Sequence, residues 1–218
     1  PIWILSASDM SNSESKRDNL FANPLGAVPG FVFDQAVVDV FPDMISRSVP
    51  GYETIISHTG ELAARFVQAD TNCYDLGCSL GASTLAIGHS IEGRNATVVA
   101  VDNSVAMLEK CELILTSDSA TTAIELVNSD ICDIDIHNAS LVVMNFTLQF
   151  VLMEKRPDLL EKIYHGLNPG GCLIISEKLS FEPESLNKLL SELHHDFKRG
   201  QGYSDLEISQ KRDSIENV

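Results

Sequence analysis

The sequence predicts an α/β fold in which helices cover a doubly wound, mostly parallel sheet. Three observations predict it. Short apolar runs such as Thr97 to Asp102, Leu141 to Asn145 and Cys172 to Glu177 alternate with longer segments of helical periodicity, the pattern of parallel strands joined by crossover helices. The stretch Tyr74-Asp75-Leu76-Gly77-Cys78-Ser79-Leu80-Gly81-Ala82 joins the first strand to a helix. And Asp75, Asp102, Asp130 and Asn145 each stand at or just after the end of a strand, where ligands bind in such sheets.

Residues 1–30 read as a mostly disordered N-terminal tail, Ser-rich and polar after the short apolar start Ile2-Trp3-Ile4-Leu5. Residues 31–218 read as one domain. In its helical cap, Ala36, Val37, Val40 and Phe41 share a face that Pro42 is expected to interrupt, and Pro50-Gly51 interrupts again before a clear amphipathic helix from Tyr52 to Val67. Asn72 to Asp75 ends the first strand, and Ser83 to Ile91 is the helix after it. Thr97 to Asp102 is a β-branched run fit for burial on both faces. Ser104 is the N-cap candidate for the next helix, with Val105, Met107, Leu108 and Cys111 behind it. Ala123 to Val127 is a weaker third strand. Leu141 to Asn145 is the fourth, Glu154 to Gly166 a helix, Asn168-Pro169-Gly170-Gly171 a turn, and Cys172 to Glu177 the fifth strand. Pro183 to Phe197 and Asp205 to Glu216 are two further helices.

Composition narrows the partners. The formal net charge of −16 repels nucleic-acid backbones and anionic membranes at long range. No apolar run reaches the roughly eighteen residues a membrane span needs. The five cysteines, Cys73, Cys78, Cys111, Cys132 and Cys172, are scattered and form no Cys-x-x-Cys pair, the usage of reduced thiols in the cytoplasm.

The glycine loop is neither a dinucleotide fingerprint nor a P-loop, lacking the third glycine of one and the Gly-Lys-Ser/Thr of the other. Gly77 and Gly81 allow a sharp turn and close approach to a ligand at a helix N-terminus. With the acidic residue that opens it, the loop resembles the first motif of the class I S-adenosylmethionine-binding, Rossmann-like fold. Asp102 then stands where a carboxylate accepts hydrogen bonds from two vicinal ribose hydroxyls. The turn Leu167-Asn168-Pro169-Gly170-Gly171 also resembles that of class I S-adenosylmethionine enzymes. His194-His195 carries no metal expectation, since adjacent helical residues do not face one point and no further ligand accompanies them.

Longer stretches carry a closer resemblance. Phe41 to Tyr52 (FPDMISRSVPGY), Asp75 to Ala82 (DLGCSLGA), Asn145 to Phe150 (NFTLQF), His194 to Arg199 (HHDFKR) and Ser209 to Arg212 (SQKR) are similar to the carboxy-S-adenosyl-L-methionine synthase family, and the match runs from about Arg17 to Val218. The resemblance implies transfer of a prephenate-derived carboxyl group onto the methyl of S-adenosyl-L-methionine, giving carboxy-S-adenosyl-L-methionine and phenylpyruvate. The product is then used to modify the wobble uridine of some tRNAs. It implies no metal, a homodimer and a cytoplasmic location. It also implies cofactor contacts from Tyr52, Gly77, Cys78, Ser79, Asp102, Asn103, Asp130, Ile131 and Asn145, with Arg212 holding the new carboxylate. A planar guanidinium grips a carboxylate in bidentate fashion, which plain methyl transfer does not require. The family continues beyond this endpoint with a helix and two strands, so the expected domain is C-terminally incomplete. Two other readings stand beside this one: a methyltransferase acting on a small molecule or tRNA, and a non-enzymatic cofactor-binding subunit.

Overall fold

A computed structural model describes residues 16–216. Its five strands are β1 (Asn72–Leu76), β2 (Thr97–Asp102), β3 (Ala123–Asn128), β4 (Ala139–Asn145) and β5 (Leu167–Ser176). They form one parallel sheet in the order β3-β2-β1-β4-β5. The helices are α1 (Gln35–Ser48), α2 (Tyr52–Phe66), α3 (Ala82–Ser90), α4 (Val105–Ser117), α5 (Arg156–Gly166), α6 (Glu184–Gly200) and α7 (Asp205–Glu216). The chain winds outward from β1 to β3, then crosses back to β4. The resulting switch point lies between β1 and β4, where the carboxyl ends of the strands open a crevice.

Period-two alternation divides the core. Tyr74, Leu76, Val142 and Met144 face Leu159 and Ile163 of α5 on one side. Cys73, Leu141 and Val143 face Ala63 of α2 and Ile87 of α3 on the other. The middle strands are therefore apolar on both faces, as the continuous run at Thr97 to Asp102 predicts. The register sets the polar strand ends side by side: Asp102 pairs with Asn128, and Asn145 with Ser176.

Four local expectations are corrected. Pro42 does not interrupt the first helix, which runs from Gln35 to Ser48 with Asp34 as its N-cap. Val37, Val38 and Val40 before the proline and Met44 after it pack into one cluster with Leu80 and Met107, so burial of a continuous face outweighs the missing backbone donor. The turn at Asn168 to Gly171 is a bulge inside β5, where the pairing jumps from Leu167 to Cys172 opposite Ala139 and Leu141. No helix joins β3 to β4; Asp130 to Asp133 closes a turn instead.

The fourth correction concerns the N-terminus. Residues 1–15 lie outside the described residues, but residues 16–30 form an ordered strap rather than a disordered tail. Asp18 is only 2% exposed. Its backbone N–H donates to Asp43 Oδ2 at 2.7 Å, and its carboxylate accepts from the Tyr203 hydroxyl. Gln210 on α7 donates to the Phe21 and Asn23 carbonyls and accepts from Leu25 N. Ser214 donates to the Pro29 carbonyl. The strap thus staples α7 to α1. Tyr203→Phe should lower unfolding stability by about 1–3 kcal/mol, the range for losing a buried hydrogen bond to a charged group, read from denaturant titration; a loss under about 0.3 kcal/mol would show the strap to be decorative.

Candidate functional site

At the switch point the chain turns from β1 into α3 through Gly77 to Gly81. Gly77 N and Cys78 N both donate to the Val101 carbonyl, at 2.8 and 2.9 Å. Gly77 has φ +83, and a Cβ there would lie 2.5 Å from Thr147 Oγ1. Only glycine fits this turn, for conformational and steric reasons together. Ser79 follows with φ +50, which aims its backbone N–H at Asp102.

Asp102 ties the two ligand-side loops together. Its Oδ2 accepts from Ser79 N and its Oδ1 from Ser104 N, both at 2.9 Å. Burial raises its carboxyl above the usual range, against the pull of these backbone donors. Each oxygen keeps a second lone pair, the equipment for gripping two vicinal hydroxyls. Beneath it, fully buried Asp75 accepts from Thr84 Oγ1 at 2.6 Å. Burial, with the Asp102 charge adding to it, pushes Asp75 up to about 6. Burial also raises the Tyr52 phenol, with the Asp75 charge acting in the same direction, so Tyr52 stays protonated. The neighbouring Cys111 thiol and burial push the Cys78 thiol up as well, which makes it a packing group rather than a nucleophile.

All ten residues singled out from the sequence line one cavity of about 1850 Å³: Tyr52, Gly77, Cys78, Ser79, Asp102, Asn103, Asp130, Ile131, Asn145 and Arg212. Their parts in it differ. Asp130 is exposed, and its Oδ1 accepts from Cys132 N in a local turn. Asn145 is a brace. Its Nδ2 donates to Ser83 Oγ and Thr59 Oγ1, and its Oδ1 accepts from Ser176 Oγ, so the amide ties β4 to α2, α3 and β5. What it has left for a ligand is its backbone and one lone pair of an oxygen already in use. Arg212 is half-exposed, and both its Nε and Nη2 donate to Asp213 Oδ1. Among the described residues, no group of three or more His, Cys, Asp or Glu side chains could hold a metal ion. His194 has another task, with Nε2 2.8 Å from the Ser48 carbonyl.

Sequence reasoning missed much of the cavity wall. Phe33 and Phe150 pack edge to face there at 5.3 Å. Lys178, Lys198 and Lys211 join Arg212 on the side formed by α6, α7 and the segment after β5. The signal for α6 was its periodicity: Leu190, His194, Phe197 and Lys198 share a face at helical spacing. Nothing local marks Phe33.

Two outcomes follow. Asp102→Asn should weaken binding of S-adenosylmethionine by about 2 kcal/mol, roughly thirtyfold, measured by calorimetry; unchanged affinity in a folded variant removes Asp102 from the ligand. For Asp75, the folded carboxyl ionises later than the unfolded one, whose value is 3.8. Its contribution to stability is therefore full below about pH 4 and lost as pH rises through about 6. Asp75→Asn does not titrate, so its stability relative to wild type should improve by on the order of 2–3 kcal/mol between pH 4 and pH 7.5. Thermal melts of both proteins across that range check it, and a pH-independent difference would show that Asp75 is ionised throughout.

Residues 73–171 match the family described as a methyltransferase domain. The carboxy-S-adenosyl-L-methionine synthase of Citrobacter koseri is 55% identical over 204 residues, covering 94% of this chain and 83% of its own length. That of Vibrio campbellii is 56% identical over 207 residues, covering 95% and 84%. Among solved structures, a candidate S-adenosyl-L-methionine-dependent methyltransferase of Methanococcus maripaludis matches with a TM-score of 0.54 at 18% identity, covering 87% of this chain and 86% of that one. That likeness shows the Rossmann-like fold.

Proposed function

The chain belongs to the carboxy-S-adenosyl-L-methionine synthase family, and from that premise we propose that it converts S-adenosyl-L-methionine and prephenate to carboxy-S-adenosyl-L-methionine and phenylpyruvate. The observation that carries the reading is the polarity of the cavity. Asp102 and the glycine loop form one side, suited to a ribose and a cationic sulfonium, while Arg212 and three lysines line the other. A methyl donor alone presents little to occupy that cationic side. A carboxylated product and a carboxylate-bearing donor do.

In this reading each protein group has a defined task. Asp102 orients the ribose. Gly77 and Ser79 bring backbone close to the nucleoside. Tyr52, held protonated, offers a hydroxyl donor at the cavity wall. The aromatic pair Phe33 and Phe150 excludes water from one flank. Arg212 grips the carboxylate that appears on the former methyl group, with Asp213 orienting the guanidinium. The atoms balance with one water as a further product, so no oxidant is needed.

The wider reading takes the enzyme to be a cytoplasmic homodimer whose product serves tRNA wobble-uridine modification elsewhere. Five free cysteines fit a reducing compartment, and among the described residues no helix is long and apolar enough to cross a membrane. The alternative, methyl transfer to a small molecule or tRNA, draws on the methyltransferase-domain match at residues 73–171.

Mass spectrometry of the protein incubated with S-adenosyl-L-methionine and prephenate separates the two readings. Carboxylated cofactor and phenylpyruvate in equal amounts are expected; S-adenosylhomocysteine without carboxylated cofactor would favour the alternative. Arg212→Leu should weaken the carboxylated cofactor by about 1 kcal/mol more than the plain one, a modest preference because Arg212 is 50% exposed. Calorimetry with both ligands reads the difference, and equal losses would take Arg212 off the carboxylate.

A further inference from the structure

Lys198 differs from the other buried cations in or near the cavity and from its exposed lysines, Lys155 and Lys178. Lys211 donates to Ser48 Oγ at 3.0 Å and lies 3.7 Å from Asp18 Oδ2. Arg47 donates to Asp43, Gln201 and Asp18. Arg212 is paired with Asp213. Lys198 is only 9% exposed and lines the cavity, yet its ammonium has no hydrogen-bond or carboxylate partner among the described residues. Its ammonium is not a fully buried orphan and reaches the cavity's water, so it is partly desolvated and an incoming anion would offset that cost. The fold nevertheless holds it firmly. Its carbonyl accepts from Tyr203 N at 3.1 Å where α6 turns into α7. Lys178 lies near enough for its charge to act on Lys198. Burial first, and that like charge second, lower the Lys198 ammonium below its ordinary value. The nearest acid along the chain, Asp196, accepts from Arg199 instead, and Glu177, beside Lys178, accepts from Gln149 N. On the same helix, Leu190 and Leu193 line the cavity and present apolar surface.

We propose that Lys198, supported by Lys178 at the rim, forms a carboxylate subsite that holds the end of the carboxyl donor that is not transferred. This rests on the synthase reading above. A donor that gives up one carboxyl and leaves as a 2-oxo acid carries two carboxylates. Arg212 accounts for the one that moves, and the departing one needs a second cation in the same cavity. Lys198 supplies a partly desolvated ammonium, which strengthens its hold on an anion. Leu190 and Leu193, which line the cavity, suit the hydrocarbon ring of such a donor. The lysines therefore select donors by their second acid group, and a monocarboxylate lacking it binds poorly.

Phenylpyruvate retains the proposed carboxylate and requires no turnover to bind, so it is the probe. Calorimetry of phenylpyruvate with protein loaded with S-adenosyl-L-methionine should show Lys198→Met binding roughly thirtyfold or more weakly than wild type. Lys178→Met, at an exposed rim position, should lose about two- to fivefold. Lys198→Arg should recover part of the loss. Affinity for S-adenosyl-L-methionine should stay within twofold in all three, which also certifies the fold. Phenylpyruvate bound equally by Lys198→Met and wild type overturns the subsite, as does wild type that does not bind it. Should Lys198→Met lose S-adenosyl-L-methionine binding as well, the Lys178→Met result decides, and no change there overturns the proposal. Failure of the synthase reading looks different: phenylpyruvate binding depends on Lys198, but no carboxylated cofactor forms from prephenate.

Discussion

Much of the cavity depends on a buried node around Asp18. Its carboxylate meets the Tyr203 hydroxyl and the Lys211 ammonium, and the Arg47 guanidinium stacks 4.0 Å from the Tyr203 ring centroid while donating to the Asp18 carbonyl. Burial pulls Lys211 down to about 8 despite the Asp18 charge, a measure of how dry the node is. One charge removed leaves the others uncompensated, which costs far more than the net worth of any pair. The node gathers the strap, α1, α6 and α7 into one body. With the bonds from Gln210 and Ser214 to the strap, it fixes α7, and with it Arg212, at the cavity wall.

The sheet makes its own contribution by a different mechanism. Parallel strands end together, so residues that terminate β1, β2 and β4 arrive at one edge by register rather than by individual contacts. Asp102 then converts that edge into a site by taking one N–H from the loop after β1 and one from the start of α4. Its negative charge is held by backbone dipoles, which cost little reorganisation when a ligand arrives. Asn145 does the equivalent on the other side of β1, with every amide hydrogen committed to a neighbour.

The two halves give the cavity opposite electrical sides within a chain of net charge −16. The average charge describes long-range repulsion from polyanions. It says nothing about a wall where α6, α7 and the segment after β5 converge their lysines. There the surrounding apolar surface limits water and focuses the local field.

The sequence alone determined the sheet, its parallel winding and the polar residues at the carboxyl ends of its strands. These follow from periodicity and from features within a few residues of one another: a β-branched run ending in Asp102, two glycines after Asp75, Ser104 capping α4. The family motifs added Arg212 by likeness, since a lone arginine on an exposed helix has no local signature. Tertiary structure alone decided the rest. Residues 16–30 read as a tail because their hydrogen bonds go to Gln210, Tyr203 and Ser214, some 185 positions away, and polar side chains do not announce distant partners. Pro42 read as a break because its local cost is visible and the continuous buried face that outweighs it is not. Periodicity put Asn145 at a strand end, but its commitments to Thr59, Ser83 and Ser176 exist only once four elements meet. Lys198 stood in the sequence only as part of a family motif, because burial is a property of what α6 packs against and no residue type carries that information on its own.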